Sequence, residues 1–489
     1  MRTSESIKRL ASLNWAAGNG CHVRVTALLL WCGVLVGVID LPLSGMALTL
    51  FESAGIYWVA RGLATAHHRP VICTVFAVAL LAYTTETLLV QTLPQWSDSF
   101  PDSTLYDSNA RALVSHWQGL AVSAADFKLK GLTARNIPEW LPTDGYDYTT
   151  VLGMSRYLYQ IWVAIIYALS DGSRITAVFS NVPLLAGMAA GVYLLADSLF
   201  GRRVAGFATL LVMLDPNFAV WGSVLLRESL MLFLTVLALL ASTRMLKREG
   251  TVGSNARVLT GALGLLSVLR FNVVAALLLA MGCALLSGVQ RPAWRSIVIG
   301  LAGLIALVAI ASQFGPGFRT ALDNSLPGQI VMENVQIFQG AERVLEAARR
   351  TGDAHEAGVN SVRQQWHTRL REQPLWLNGV KAITRTLMGP YPWVALTHGL
   401  SGNNFYELMY PGMTLWLFFL PALLFAGWRL SWRHQPALLM CLIWLAAEAA
   451  IYIIGYGEFG GRERIIAMPL MWILATKGML MMARHQSED

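Results

Sequence analysis

The sequence predicts an all-α polytopic membrane protein, and three observations carry that prediction. Only 13% of the 489 residues are charged while 55% are hydrophobic, against roughly a quarter charged in a soluble domain. Apolar runs of about 17 to 22 residues recur along almost the whole chain, close to the length a helix needs to cross a bilayer. Stretches such as LLAGMAAGVYLL and VIGLAGLIALVAIA are apolar on every face, where barrel strands would alternate, so the spans are expected to be helical. A water-soluble globule is excluded.

Positive charge orders the spans, because Lys and Arg collect in cytoplasmic loops. Lys8, Arg9 and Arg24 flank the first apolar run, Arg61 and Arg69 precede the third, and Arg202 with Arg203 follow the fourth. Residues 25 to 60 are therefore expected to form a tight hairpin turning near Asp40 and Pro42, and residues 71 to 92 to cross outward. Residues 155 to 170 (SRYLYQIWVAIIYALS) are apolar enough for a span, but a span there would put Arg202 and Arg203 outside. An external helix lying at the headgroup layer is the better reading.

The cluster Arg244, Lys247 and Arg248 again reads as cytoplasmic, so the chain crosses twice between Arg203 and that cluster, with its turn from Asp215-Pro216-Asn217 to Arg227-Glu228 outside. Residues 258 to 290 form a second hairpin with Arg270 and Asn272 near its outer turn. Residues 296 to 313 lead out again, and spans near 409 to 428, 436 to 455 and 465 to 483 complete a count of about twelve.

The chain divides accordingly. Residues 1-92 hold an N-terminal cytoplasmic segment and the first three transmembrane helices, 93-175 the first external loop with interfacial helices, and 176-313 a transmembrane core. Residues 314-405 form a second external region and 406-489 the C-terminal transmembrane helices. Both termini are expected in the cytoplasm, and no cleavable signal peptide is expected in MRTSESIKRLASLNWAAGNG.

The net charge of +8 is accounted for by cytoplasmic loops and anionic headgroups, so membrane lipids are the expected partners and nucleic acid is not. Cys21, Cys32, Cys73, Cys283 and Cys441 are scattered, with no disulfide framework or C-x-x-C site. His67, His68, His116 and His398 lack ligand spacing, and neither a phosphate-binding G-x-x-x-x-G-K-[ST] loop nor G-x-S-x-G occurs. Glu52, Glu86 and Glu448, within or near apolar runs, line a cavity or are hydrogen-bonded between helices.

Asp102 opens the external segment DSTLYDSNAR, which also carries Tyr106, Asp107 and Arg111. A carboxylate held at the outer face can act as a general base toward an acceptor hydroxyl or amine, or as a metal ligand. Arg227, Arg270, Arg462 and Arg464 are expected at the same face. Arginine suits a lipid phosphate there, because its planar fork offers several donors and stays charged.

The spacing of Asp102, Tyr106, Ala110 and Arg111 resembles the first external loop of the GT-C glycosyltransferases, in the branch of aminoarabinose transferases and protein O-mannosyltransferases. SLFGRRVAGFATLLVMLDPNFAVWGSVLLRESLMLFLTVLALL looks like that family's next block, with Glu228 at its second external acid. GEFGGRERIIAMPLMWILATKG is similar to its final span, and GPYPWVALTHG to a Pro-Phe-Pro-Trp stretch of bacterial polysaccharide membrane proteins. The chain departs from the pattern in having Ser103 where an acid often follows Asp102, in having Glu at 228 where Asp is common, and in an extra hairpin at residues 25 to 60.

The resemblance implies a GT-C-like core and a transferase at the periplasmic face of a bacterial inner membrane. It would move a sugar from a polyprenyl-phosphate-linked donor to a glycan or glycolipid acceptor of the cell envelope. Asp102 would be catalytic. Tyr106, Asp107, Arg227, Glu228, Arg270, Arg462 and Arg464 would bind substrate, and a divalent metal is left open. Two rivals stay in view: a polymerase of the O-antigen or exopolysaccharide type, and a transporter or flippase of lipid-linked glycans. A membrane scaffold without enzymatic activity would leave the external acids and arginines unexplained.

Overall fold

The computed structural model describes residues 41–91, 101–120, 152–288, 404–430, 435–456 and 464–485, with isolated positions such as Trp31, Thr384 and Leu387. Fourteen helices and no strand occur among the described residues. They are α1 (Leu43–Leu63), α2 (Arg69–Gln91), α3 (Pro101–Trp117), α4 (Leu152–Leu169), α5 (Arg174–Phe179), α6 (Asn181–Phe200) and α7 (Arg202–Leu214). The rest are α8 (Pro216–Gly222), α9 (Glu228–Lys247), α10 (Val252–Leu269), α11 (Phe271–Gly288), α12 (Asn404–Arg429), α13 (Pro436–Tyr456) and α14 (Met468–His485).

Five stretches are long and apolar enough to cross a membrane: Arg69–Gln91, Arg174–Phe200, Glu228–Lys247, Val252–Leu269 and Gly412–Arg429. A sixth forms if α7 and α8, bent by 54°, are taken as one broken span. Phe51, Trp58, Leu89, Phe418 and Trp428 stand exposed on the outside of the helices, which suits lipid far better than water. The first hairpin's leading arm, the 296 to 313 span and nearly all of the second external region lie outside the described residues.

At the centre is α6, buried along its length from Asn181 to Ala196. Its sequence makes that position attainable, since small residues let neighbouring backbones come close. A Cβ on Gly187 would meet Phe233 at 2.7 Å, and one on Gly191 would meet Val236 at 2.7 Å, so α9 lies directly against the glycine face. On other sides α6 packs against α7, α2 and α1. A second group pairs α12 with α14, and α11 with α13. Trp31 joins the N-terminal segment to the bundle by donating from Nε1 to Thr84 Oγ1 at 2.8 Å.

Chain reversals fall where local chemistry demands them. Gly201, at φ +86°, turns α6 into α7 in a conformation that side chains with a Cβ rarely adopt. α1 starts directly after Pro42, where the sequence predicts a turn. The predicted hairpin at 258 to 290 begins earlier than expected, at Val252.

One end of the bundle is basic. There the Arg244 guanidinium donates to the Leu63 carbonyl and the Lys247 ammonium to that of Ser198, while Ser198 Oγ donates to Glu249 at 2.7 Å. His68 Nε2 lies 3.2 Å from Asp197. Arg61, Arg69, Arg202, Arg203 and Arg248 are exposed around this end. The opposite end, where α2 finishes and α6, α9 and α14 begin, holds most of the described candidate residues.

The stretch between α7 and α9, which the sequence predicts as a turn on the outer side, is covered by other parts of the chain. Asp215 and Asn217 through Leu226 are all buried, so the turn is enclosed by protein and does not stand in solvent. Irregular backbone at such depth is tolerated only when its polar groups are satisfied from neighbouring elements, and here they are. Asn181 Nδ2 donates to the carbonyls of Gly222 at 3.1 Å and Val224 at 2.9 Å. Gln91 Nε2 donates to the Ser223 carbonyl, and Ser103 Oγ accepts from Leu225 N at 3.2 Å. Residues 215–227 thus form a strap stitched to α2, α3 and α6.

A candidate anion-binding site at one end of the bundle

The strap carries the site. At its far end the N-terminus of α9 presents Glu228, 1% exposed, in the first helical turn where a carboxylate is favoured by the helix dipole. Glu228 stands near Tyr159 of α4, whose ring meets that of Tyr106 edge to face at 5.0 Å. Burial first, then the nearby Tyr106 and Glu228, raises the Tyr159 hydroxyl well above the ordinary tyrosine range. Tyr106 is fully buried.

Arg227, next to Glu228, donates from Nη1 to the Leu269 carbonyl at 2.9 Å. That carbonyl belongs to the residue before Arg270, the C-cap of α10, so two half-buried arginines share one helix end. Glu448 of α13 is buried, lies within electrostatic reach of Arg270, and accepts from Asn272 Nδ2 at 3.0 Å. Two arginines and two acidic residues, Glu228 and Glu448, thus gather at this end, and the guanidinium forks are groups of the kind that hold an anion.

Arg464 occupies different surroundings. It is 2% exposed, its Nη2 contacts Met413 Sδ, and Asp215 lies within electrostatic reach of it. Asp215 is fully buried at the bend between α7 and α8. Its Oδ2 accepts from Trp472 Nε1 at 2.8 Å, and its Oδ1 accepts from Asn217 N at 3.0 Å and Asn217 Nδ2 at 2.8 Å. Trp472 is wedged edge to face against Trp416 at 5.3 Å and Phe419 at 5.4 Å.

Asp107 points elsewhere. It accepts from the Tyr167 hydroxyl and from Arg111 Nε at 3.1 Å, while the Arg111 guanidinium stacks 4.9 Å above the Tyr167 ring. The trio locks α3 to α4. Burial, followed by the bond to Asp107, raises the Tyr167 hydroxyl. Tyr106 and Asp107 are thus neighbours in sequence that serve different contacts.

Asp102 lies in the first turn of α3, one residue before the Ser103 that fastens this helix to the strap; its side chain is outside the described set, as is the whole of Arg462. Among the described residues no three His, Cys, Asp or Glu side chains gather as metal ligands, so they offer no ready set of donors for a divalent metal.

Sequence reasoning did not single out Asp215, Asn181 or Ser103 as site-forming residues. For Asp215 a signal existed, an Asp-Pro pair between the apolar runs VAGFATLLVML and NFAVWG. For Asn181 and Ser103 there was none, since their roles depend on carbonyl and amide groups some 40 and 120 residues away.

Fold and site define a helical membrane protein with a buried acid and arginine cluster at one end. The sequence matches no protein-family model and no curated protein.

Proposed function

We propose that the protein is an integral-membrane glycosyltransferase of GT-C type that transfers a sugar from a polyprenyl-phosphate-linked donor to a cell-envelope glycan or glycolipid. The observation carrying this reading is the convergence of Arg227, Arg270 and Glu228 on one bundle end, with α3 and its Asp102 fastened beside them through the Ser103 to Leu225 bond. Partly exposed arginines there suit a lipid phosphate, and the charge developing on the leaving phosphate is what they would stabilise most. Asp102 takes the acceptor proton or orients the acceptor. On this reading the basic end faces the cytoplasm, the site lies at the periplasmic face of a bacterial inner membrane, and the described spans belong to a set of about twelve.

The test is transfer by purified protein in nanodiscs supplied with polyprenyl-phosphate sugars and envelope acceptors, read by mass spectrometry. A single added sugar that disappears in Asp102→Asn supports the reading, and full transfer by that variant, folded, refutes Asp102's role. A ladder of chain lengths would point to a polymerase, and movement of a lipid-linked glycan without covalent change to a flippase.

A further inference from the structure

We infer that Asp215 is a positioning residue that holds Arg464 in the unliganded protein and yields it to the phosphate of a bound lipid. The inference deepens, and rests on, the reading of this bundle end as a polyprenyl-phosphate site.

Asp215 is the joint of three elements. It caps α8 through Asn217 N, accepts from Trp472 of α14, and packs against Gly412 of α12, where an added Cβ would fall 2.7 Å from Oδ1. Met413, next to Gly412, is the residue that Arg464 touches. The carboxylate and the guanidinium therefore meet neighbouring residues of α12, both buried and within electrostatic reach of each other in a setting that screens charge poorly.

The hydrogen bonds of Asp215 decide what kind of pair this is. Three neutral N–H donors, one on Trp472 and two on Asn217, already serve both carboxylate oxygens. Loss of Arg464 would leave neither oxygen without a donor, so the carboxylate supplies charge and not an obligatory hydrogen-bond partner. A charged group buried without compensation is costly, and the opposite charge of Asp215 lowers that cost for an almost fully buried Arg464 before a ligand arrives. The strap then links this pair to the partly exposed Arg227 and to Glu228 at its other end.

A phosphate reaching Arg464 would meet the repulsion of Asp215. Asp215→Asn should therefore bind undecaprenyl phosphate roughly tenfold more tightly than the wild type while melting at a lower temperature, because an amide accepts at only one of the two atoms. A residue with only a structural role would lower the melting temperature without tightening binding.

The experiment uses full-length protein in phosphatidylcholine nanodiscs, titrated separately with undecaprenyl phosphate and phosphatidic acid. Melting of Asp215→Asn, Arg464→Gln and their double variant is followed without ligand. Expected are tighter undecaprenyl phosphate binding by Asp215→Asn, weaker binding by Arg464→Gln, and a double variant that melts no lower than the worse single one. An equal gain for phosphatidic acid identifies the chemistry as a lipid phosphomonoester in general, and a gain confined to undecaprenyl phosphate identifies the carrier. Unchanged or weaker binding by folded Asp215→Asn overturns the inference and leaves the proposed function standing. If the wild type binds neither lipid, the proposed function and the yielding of Arg464 to phosphate both fall. Additive melting losses in the cycle refute the pairing itself.

Discussion

Gly478→Ala tests the packing that brings the last helix to the site. A Cβ at Gly478 of α14 would lie 2.7 Å from the Ala422 carbonyl carbon, closer still to its oxygen, and 3.1 Å from Ala426 Cβ. Ordinary contact begins at 3.4 Å, so α12 and α14 would have to part by about 0.7 Å or more. The obstacle is backbone, which cannot swing aside as a side chain can. Overpacking of this kind costs about 1–3 kcal/mol, and the upper end is expected here. Separation would also loosen Trp472 from Asp215, one and a half turns up the same helix.

Two other helical glycines provide the comparison. A Cβ at Gly427 or Gly261 meets nothing within 4 Å, so alanine there should be neutral or stabilising by up to about 1 kcal/mol through helix propensity. Thermal unfolding in one detergent should show Gly478→Ala lower by roughly 5 °C and the other two unchanged or higher. Equal midpoints for all three variants would refute the close approach of α12 and α14.

Asn181→Ala should cost about 2–4 kcal/mol, because two buried carbonyls of the strap lose their donor; thermal unfolding reads the loss, and hydrogen exchange should localise it to residues 222–227. Tyr167→Phe removes a donor to a carboxylate and should weaken docking of α3 on α4 by about 1.5–3 kcal/mol, seen as faster exchange across Pro101–Trp117. Burial lowers the His68 pKa below its ordinary 6.5, opposed in part by Asp197 and reinforced by Arg202, His67 and Arg244. The unfolded chain therefore takes up the proton first as pH falls, and stability declines below about pH 6.5 until the folded value is reached. His68→Gln should flatten that portion of the melting temperature profile.

Much of the helix plan was legible because spans are a matter of composition and length. Apolar runs bounded by arginines predicted α2 near its observed limits and the α10–α11 hairpin, which begins at Val252 and not at 258, whereas for α6 and α9 they predicted only the order along the chain. Asp107 shows where such reading ends. Its place on α3 was clear, but whether it turned toward Tyr106 or toward Tyr167 depended on the docking of α4, a helix more than forty residues later.

By itself, the sequence determined that this is a helical membrane protein, where its basic residues cluster, and which acids and arginines are too costly near a bilayer to be incidental, because hydropathy and charge are properties of the residues themselves. Only the tertiary structure decided that residues 215–227 are enclosed as a strap, that Arg227 and Arg270 share a helix end, and that Arg464 is buried opposite Asp215. The physical reason is distance along the chain: Asp215 and Trp472 are 257 residues apart, and their pairing arises from the packing of α12 and α14 onto the strap, which no local pattern encodes.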